Sequence, residues 1–404
     1  MLAASASTDN PRHLSVLLGH RPPQPNVRYV DQVLGERLSD IDFHFFEGAL
    51  GRHDVDVVHV HRLESLLGGP KKSSAERLAA ATDLVKTLAS NRIALVQTLY
   101  GPRQGSQEEW CKVIDQATSA FIVLDESTPS PSEQLTTLIP HAHYRDRFLG
   151  YPRAEQVRGR ILALSRDRLG RTSEAPLKTF GLTDTPGLSL RVVGEADATF
   201  ADLAARARAK NPDTVTTCLE RVSDGAAVME ITAAELVILP GTQSLDDLSM
   251  LFLALSLDRP VMVEESETTR LLSEEVGAGW IFQHVGPLTA ELLDETVANV
   301  RRTPRANSPS FNGRDWDSTA AKYAQVFHQA AAAAKSQRTV VAKSKHEQVA
   351  VRQVPKNVLG VASVAGIAFL VGRISRPARN PVAGRLVDVV RGPVTRSSRG
   401  GIGK

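Results

Sequence analysis

Residues 54–64 read Asp-Val-Asp-Val-Val-His-Val-His-Arg-Leu-Glu. The run Val55–His61 is short and rich in β-branched side chains, which marks a strand; what flanks it decides the kind of sheet. Before it lie two similar runs, His13–Leu18 and Ile41–Phe46. After it come Ile93–Tyr100, Ala120–Asp125 and Thr136–Pro140, separated by helical stretches such as Ser74–Ser90 and Gln107–Ser119. A second series follows, with strand-like runs at Arg160–Leu164, Leu188–Val193, Val215–Leu219, Leu236–Leu239, Pro260–Val263 and Trp280–Phe282. These alternate with helical segments at Thr199–Lys210, Ser244–Leu257, Glu267–Val276 and Thr289–Arg302. Such alternation predicts βα units, parallel sheets and an α/β fold of two doubly wound, Rossmann-like halves. Tyr144–Arg160, rich in Arg, Gly and Pro and without a clear period, reads as the linker between them.

The chain has 404 residues, 42% of them apolar and 23% charged, values of an ordinary folded protein with room for more than one core. A small stapled module is excluded. Cys111 and Cys218 are too few for a disulfide framework and too far apart for a zinc spacing, which suits a reducing cytoplasm. Residues 1–12 lack a basic n-region and a long apolar h-region, so they read as a flexible arm rather than a secretory signal. The net charge of +3 is unevenly spread. From Lys335 to Lys404 fourteen Lys/Arg face Glu347 and Asp388, a net of +12, which leaves −9 on residues 1–334. A basic tail is attracted to anionic lipid or nucleic acid. Phe369 is its only aromatic residue, so base stacking has little to work with, and an anionic membrane surface is the favoured partner over nucleic acid. Its apolar run, Val358–Val371, is fourteen residues long where a span needs about 20. That predicts interfacial contact with the inner membrane face rather than a crossing.

Two Rossmann-like halves place ligands at the carboxyl ends of their strands, across a cleft. His59 and His61 fall on one strand face at such an end, with Glu64 just beyond. His141 and His143 follow the run Thr136–Pro140. No Cys or carboxylate cluster joins these histidines at a recognised metal spacing, so no metal is assigned. A diphosphate needs positive charge or a helix N-terminus. Arg166, Arg168 and Arg171 follow the strand Arg160–Leu164, and the helix starting near Ser244 follows Leu239-Pro-Gly241. Ser244-Leu-Asp-Asp247 also resembles a capping box, and Asp246 and Asp247 would repel a diphosphate.

The stretches DVDVVHVHRLE (54–64), ALVQTLYG (94–101), FIVLDES (121–127), LIPHAHYRD (138–146), RVVGEAD (191–197), AAELVILPGTQSLDDL (233–248) and ALSLDRPVMV (254–263), in that order, resemble bacterial GT-B-fold glycosyltransferases. The likeness runs from about residue 13 to 330 and is strongest to the mannosyltransferase-like enzymes of exopolysaccharide assembly. It implies a GT-B-like architecture: an acceptor domain over 13–150, a donor domain over 151–312, a crossing helix over 313–334 and a basic tail over 335–404. It further implies glycosyl transfer from a nucleotide-sugar, GDP-mannose, to a carbohydrate or lipid-linked acceptor, with no cofactor or metal. On this reading His61 or Glu64 serves the acceptor, His141 and His143 shape the cleft, and Arg166, Arg168, Ser244 and Ser249 lie at the donor. The pattern departs from the family at the donor site. Leu245 and Leu253 stand where a spaced Glu pair is usual, Asp247-Leu248-Ser249 where Asn-Ser-Gly is the other option, and Arg166-Asp-Arg-Leu-Gly170 where Tyr-Lys-Gly is common. In the first half Arg62-Leu63 replaces Trp-Pro and Tyr100-Gly101 replaces His-Asn. A catalytically silent relative, acting as partner or scaffold for an active transferase, is the alternative this erosion raises.

Overall fold

The structure, a computed structural model, describes residues 13–18, 40–45, 54–61, 63–69, 71–101, 106–165, 169–170, 173–239 and 245–350. Within them lie two six-stranded sheets. The first holds β1 (Leu14–Leu18), β2 (Ile41–Phe45), β3 (Val57–Val60), β4 (Ala94–Leu99), β5 (Ala120–Val123) and β6 (Thr136–Leu138), in the order β2-β1-β3-β4-β5-β6. The second holds β7 (Arg160–Leu164), β8 (Ser189–Val193), β9 (Val215–Cys218), β10 (Leu236–Ile238), β11 (Val261–Glu264) and β12 (Ile281–His284), in the order β12-β11-β10-β7-β8-β9. Every pairing is parallel. Each strand overlaps one of the twelve sequence runs. The reason is visible in β1, β3 and β4, which are buried along their whole length, as strands covered on both faces must be.

Strand order reverses between β1 and β3 in the first sheet and between β7 and β10 in the second. Those are the two places where a crevice opens at the carboxyl ends of such sheets. The helices are α1 (Leu63–Leu66), α2 (Ser74–Asn91), α3 (Glu109–Gln116), α4 (Ala175–Thr179), α5 (Ala198–Lys210), α6 (Asp224–Ala233), α7 (Leu245–Ser256), α8 (Glu267–Val276), α9 (Ala290–Arg302) and α10 (Trp316–Ala350). Side-chain caps mark several starts: Ser73, Asp197, Ser223, Ser266 and Thr289 each accept a backbone N–H of the first turn. In α7 nearly every apolar side chain from Leu245 to Leu255 is buried, the behaviour of a helix enclosed on all sides rather than lying on a surface.

The carboxyl edges of the two sheets face each other. Asp125, just past β5, accepts a hydrogen bond from Thr268 in the first turn of α8 at 3.2 Å. The last helix then returns to the first sheet: Tyr323 and Phe327 pack against His59, and Lys335 pairs with the buried Asp56 at 2.8 Å. The sequence reading ends this helix at Ala334, but it continues to Ala350. Five alanines and then Lys, Gln and Arg favour continuation, and no Gly or Pro occurs before Pro355. The apolar run 358–371 and the rest of the basic tail lie outside the described residues. No helix among the described residues is long and apolar enough to cross a membrane.

Gly159, which leads into β7, has φ +82° and sits so close to the next loop that a Cβ would collide with the carbonyl oxygen of Gly187. Gly159→Ala is therefore expected to cost about 3 kcal/mol of unfolding free energy, read as a lower urea midpoint with an unchanged slope.

Candidate functional site

At the switch point of the second sheet a cavity of about 320 Å³ opens. Ala163, Leu164 and Ser165 line it from the end of β7, Ile238 and Leu239 from the end of β10, Glu264 from β11 and His284 from β12. Leu169, Ser173, Pro176, Pro287 and Leu288 close the sides. Its wall is mostly apolar with a few polar groups, as small-ligand sites are. The His284 Nδ1 lies 3.0 Å from the Gly286 carbonyl, which can only accept, so Nδ1 carries the proton and Nε2 is left for a ligand. Glu264 is exposed at the strand end. The sequence reading names neither Glu264 nor His284, which lie one and two residues past the runs Pro260–Val263 and Trp280–Phe282 and end β11 and β12.

The donor-side candidates divide. Arg166, Arg168, Arg171 and Ser244 lie outside the described residues, in segments that adjoin cavity-lining Ser165, Leu169, Ser173 and Leu239. Ser249 is buried inside α7, away from solvent. Leu245 and Leu253, the positions that the resemblance sets against a Glu pair, are packed into the core.

On the first sheet His61 follows the end of β3 at the β1/β3 switch point. Its ring stands edge-on to that of His59 at 4.5 Å, and His59 Nε2 lies 2.9 Å from Thr98 Oγ1. The spacing of two residues thus puts both imidazoles together at a carboxyl edge. Glu64 belongs to the short helix α1 that begins two residues later. Among the described residues no group of three or more His, Cys, Asp or Glu is arranged to hold a metal ion.

His141 and His143 form a junction between the two sheets. His141 is fully buried, stacked face to face on Phe252 of α7 at 4.6 Å. Its Nδ1 is 2.7 Å from the Ala142 carbonyl, so in the neutral ring Nε2 is an acceptor. The Ser249 hydroxyl lies 3.2 Å from that Nε2 and 2.8 Å from the Leu245 carbonyl, and shares its one proton between them. A residue expected to shape the cleft and one expected at the donor therefore meet in a single internal contact. Burial, aided by the charge of Arg314, pushes the His141 imidazole down to about 3. Burial also lowers His143. The backbone of His143 is held at both ends: its N–H donates to the Arg314 carbonyl at 3.0 Å, and its carbonyl accepts from Trp316 Nε1 at 2.5 Å. Arg314 forks onto Glu275 at 2.5 and 2.6 Å and donates to the His141 carbonyl at 3.1 Å.

No protein-family model matches the chain. Two proteins of Xanthomonas campestris pv. campestris, each named GDP-mannose:glycolipid 4-beta-D-mannosyltransferase, are similar to it. They are 32% and 30% identical over 331 and 330 residues, and each match covers 78% of this chain and 93% of the relative. Among solved structures, a glycosyltransferase from Rickettsia africae ESF-5 matches with a TM-score of 0.50 at 9% identity, over 79% of this chain and 98% of that one. That is a likeness of fold.

The buried His141 yields a pH dependence. Its folded pKa lies below the unfolded value of 6.5, so the unfolded chain binds the extra proton and stability falls as pH drops from about 6.5 towards about 3. His141→Leu removes this linkage. Relative to the native chain it is expected to gain about 2 kcal/mol between pH 7.5 and pH 5, measured as the difference in urea unfolding free energy at the two pH values.

Proposed function

Since this chain belongs to the GDP-mannose:glycolipid 4-beta-D-mannosyltransferase family, we propose that it moves mannose from GDP-mannose to a lipid-linked carbohydrate acceptor. It is a glycosyltransferase built of two Rossmann-like domains. One observation carries the assignment of the donor site: the cavity opens at the β7/β10 reversal, where a parallel sheet of this order takes its nucleotide. Leu164, Leu169 and Leu288 offer an apolar wall to the base, and Glu264 offers a carboxylate to the ribose hydroxyls. The diphosphate goes to the segments that follow β7 and β10, where Arg166 and Arg168 supply charge and Ser244 leads into the N-terminus of α7.

The acceptor side belongs to the first sheet. A sugar hydroxyl that attacks the anomeric carbon must lose its proton as the bond to the diphosphate breaks. His61, just past β3, or Glu64, in the sequence that follows it, takes that proton. His141 and His143 act at one remove: they hold the segment after β6 against α7 and so set the separation of the two carboxyl edges. The basic tail, beyond α10, draws the enzyme to the inner face of an anionic membrane where a lipid-linked acceptor resides.

Calorimetry with a panel of nucleotide-sugars tests the donor assignment. GDP-mannose is expected to bind and UDP-glucose to bind more weakly, and Arg166→Gln with Arg168→Gln is expected to weaken GDP-mannose by about tenfold or more. Absence of heat with every nucleotide-sugar at millimolar concentration sinks the assignment and favours a silent partner. The tail has its own test. Because Lys335 is tied to Asp56 and α10 runs on to Ala350, the cut that spares the fold falls after Ala350. The full chain is expected to pellet with phosphatidylglycerol vesicles in a salt-sensitive way and the shortened one to stay in the supernatant; equal pelleting of both refutes the tail's role.

A further inference from the structure

At the other end of the strands that carry the donor cavity, the amino edge of the second sheet holds a second concavity of about 460 Å³. It is lined by Gln156, Arg158, Glu235, Arg301, Thr303 and Arg305, together with Val300. Its floor is built. Glu235, just ahead of β10 and 8% exposed, accepts both prongs of the Arg301 guanidinium at 2.8 and 2.9 Å and the Gly159 N–H at 2.5 Å. Burial by itself would raise this carboxyl. The Arg301 fork, the Gly159 N–H and the charges of Arg301 and Arg158 outweigh it and hold the group below the ordinary carboxylate range. It is ionised at neutral pH and cancels one arginine.

Two cations remain. Arg305 is fixed on one side: its Nη1 donates to the Val300 carbonyl at 3.1 Å, and its guanidinium lies over the Trp280 ring at 5.5 Å. That donation covers a carbonyl at the negative end of α9, which would otherwise repel an anion. Arg158 is exposed; its charge acts on Glu235, but no side chain among the described residues forms a hydrogen bond or close ion pair with its guanidinium. Arg301 keeps N–H groups beyond the two given to Glu235. The result is a net positive, polar hollow on a part of the chain, residues 1–334, whose net charge is −9.

We propose that this hollow is a second anion site, which takes a phosphate group on the free donors of Arg158, Arg301 and Arg305, separate from the nucleotide cavity. Guanidinium forks match the geometry of phosphate oxygens. Thr303 and Gln156 add neutral donors at the rim. The phosphate comes either from a small soluble phosphate or from the headgroup of an anionic lipid, and the two sources share this chemistry. The site does not depend on which nucleotide-sugar the cavity prefers.

The probe is inorganic pyrophosphate, added to the full chain with GDP at saturation so that the donor cavity is occupied, with thermal midpoint as the readout. The midpoint is expected to rise with pyrophosphate and the rise to shrink with added salt. Arg158→Gln, an exposed change that leaves the floor intact, is expected to weaken the effect about tenfold, and Arg158→Lys to restore part of it. Pelleting with phosphatidylglycerol vesicles, native chain against Arg158→Gln and Arg305→Gln, separates the sources. Loss of the pyrophosphate effect with unchanged pelleting assigns a soluble phosphate, and loss of pelleting assigns the headgroup. If both variants respond to pyrophosphate and vesicles as the native chain does, the site does not exist.

Discussion

Arg314 joins parts of the chain that are up to 173 residues apart. Its guanidinium forks onto Glu275 of α8 through Nε and Nη2, its Nη1 donates to the carbonyl of His141, and its own carbonyl accepts the N–H of His143. With a side chain only 12% exposed, it pairs with the Glu275 carboxylate and ties down the backbone at His141 and His143. Removing one member would leave a buried charge or carbonyl without a partner, which costs far more than the pair itself contributes. The segment after β6, the helix α8 and the start of α10 therefore stand or fall together. This ion pair, with the His141 stack on Phe252 and the Thr268–Asp125 bond, ties the two carboxyl edges together.

The same junction explains why the imidazoles of LIPHAHYRD read ambiguously. A histidine after a strand end suits catalysis and suits burial equally well at the level of residue type. The deciding facts are long-range: more than a hundred residues later, Phe252 covers a face of the His141 ring and Ser249 takes up its Nε2. His61 is different. It stands at a reversal of strand order, beside a second imidazole, and is itself buried.

The strands were readable because parallel sheets demand short, nearly continuous apolar runs, and each of the twelve runs here is bounded by polar or glycine-containing turns. Helix starts with Ser, Thr or Asp caps were readable for the same local reason. The helix α6, Asp224-Gly-Ala-Ala-Val-Met-Glu-Ile-Thr-Ala233, was not, because alanine, glycine and threonine give no periodic contrast, although Ser223 ahead of it is a cap. Its partners give it its place: Val228 and Ile231 belong to the core shared with α7. What no local pattern could reveal was the pairing of charges, Glu235 with Arg301, Glu275 with Arg314 and Asp258 with Arg145 and Arg153. These depend on which loops the topology brings together. The donor cavity lies between those extremes. Its strand-end residues Glu264 and His284 follow from topology once the order of strands is known, whereas sequence order alone does not give it.

Asp258 ends α7 in the left-handed conformation, φ 58°, that a non-glycine residue adopts only at some cost. The carboxylate at that corner holds Arg145 and Arg153, while Thr232 and the carbonyl of Ala233 take up the N–H groups of Ala154 and Val157. The connector is thus riveted to the second lobe along most of its length. Ile139 still belongs to the first sheet, through the carbonyl of Val123, and His141 already belongs to α7. The change from one lobe to the other thus falls within a single residue, Pro140, and the chain returns through the turns of α10 between Trp316 and Tyr323. Pro140, whose own ring restricts it, is the residue between the two sets of attachments.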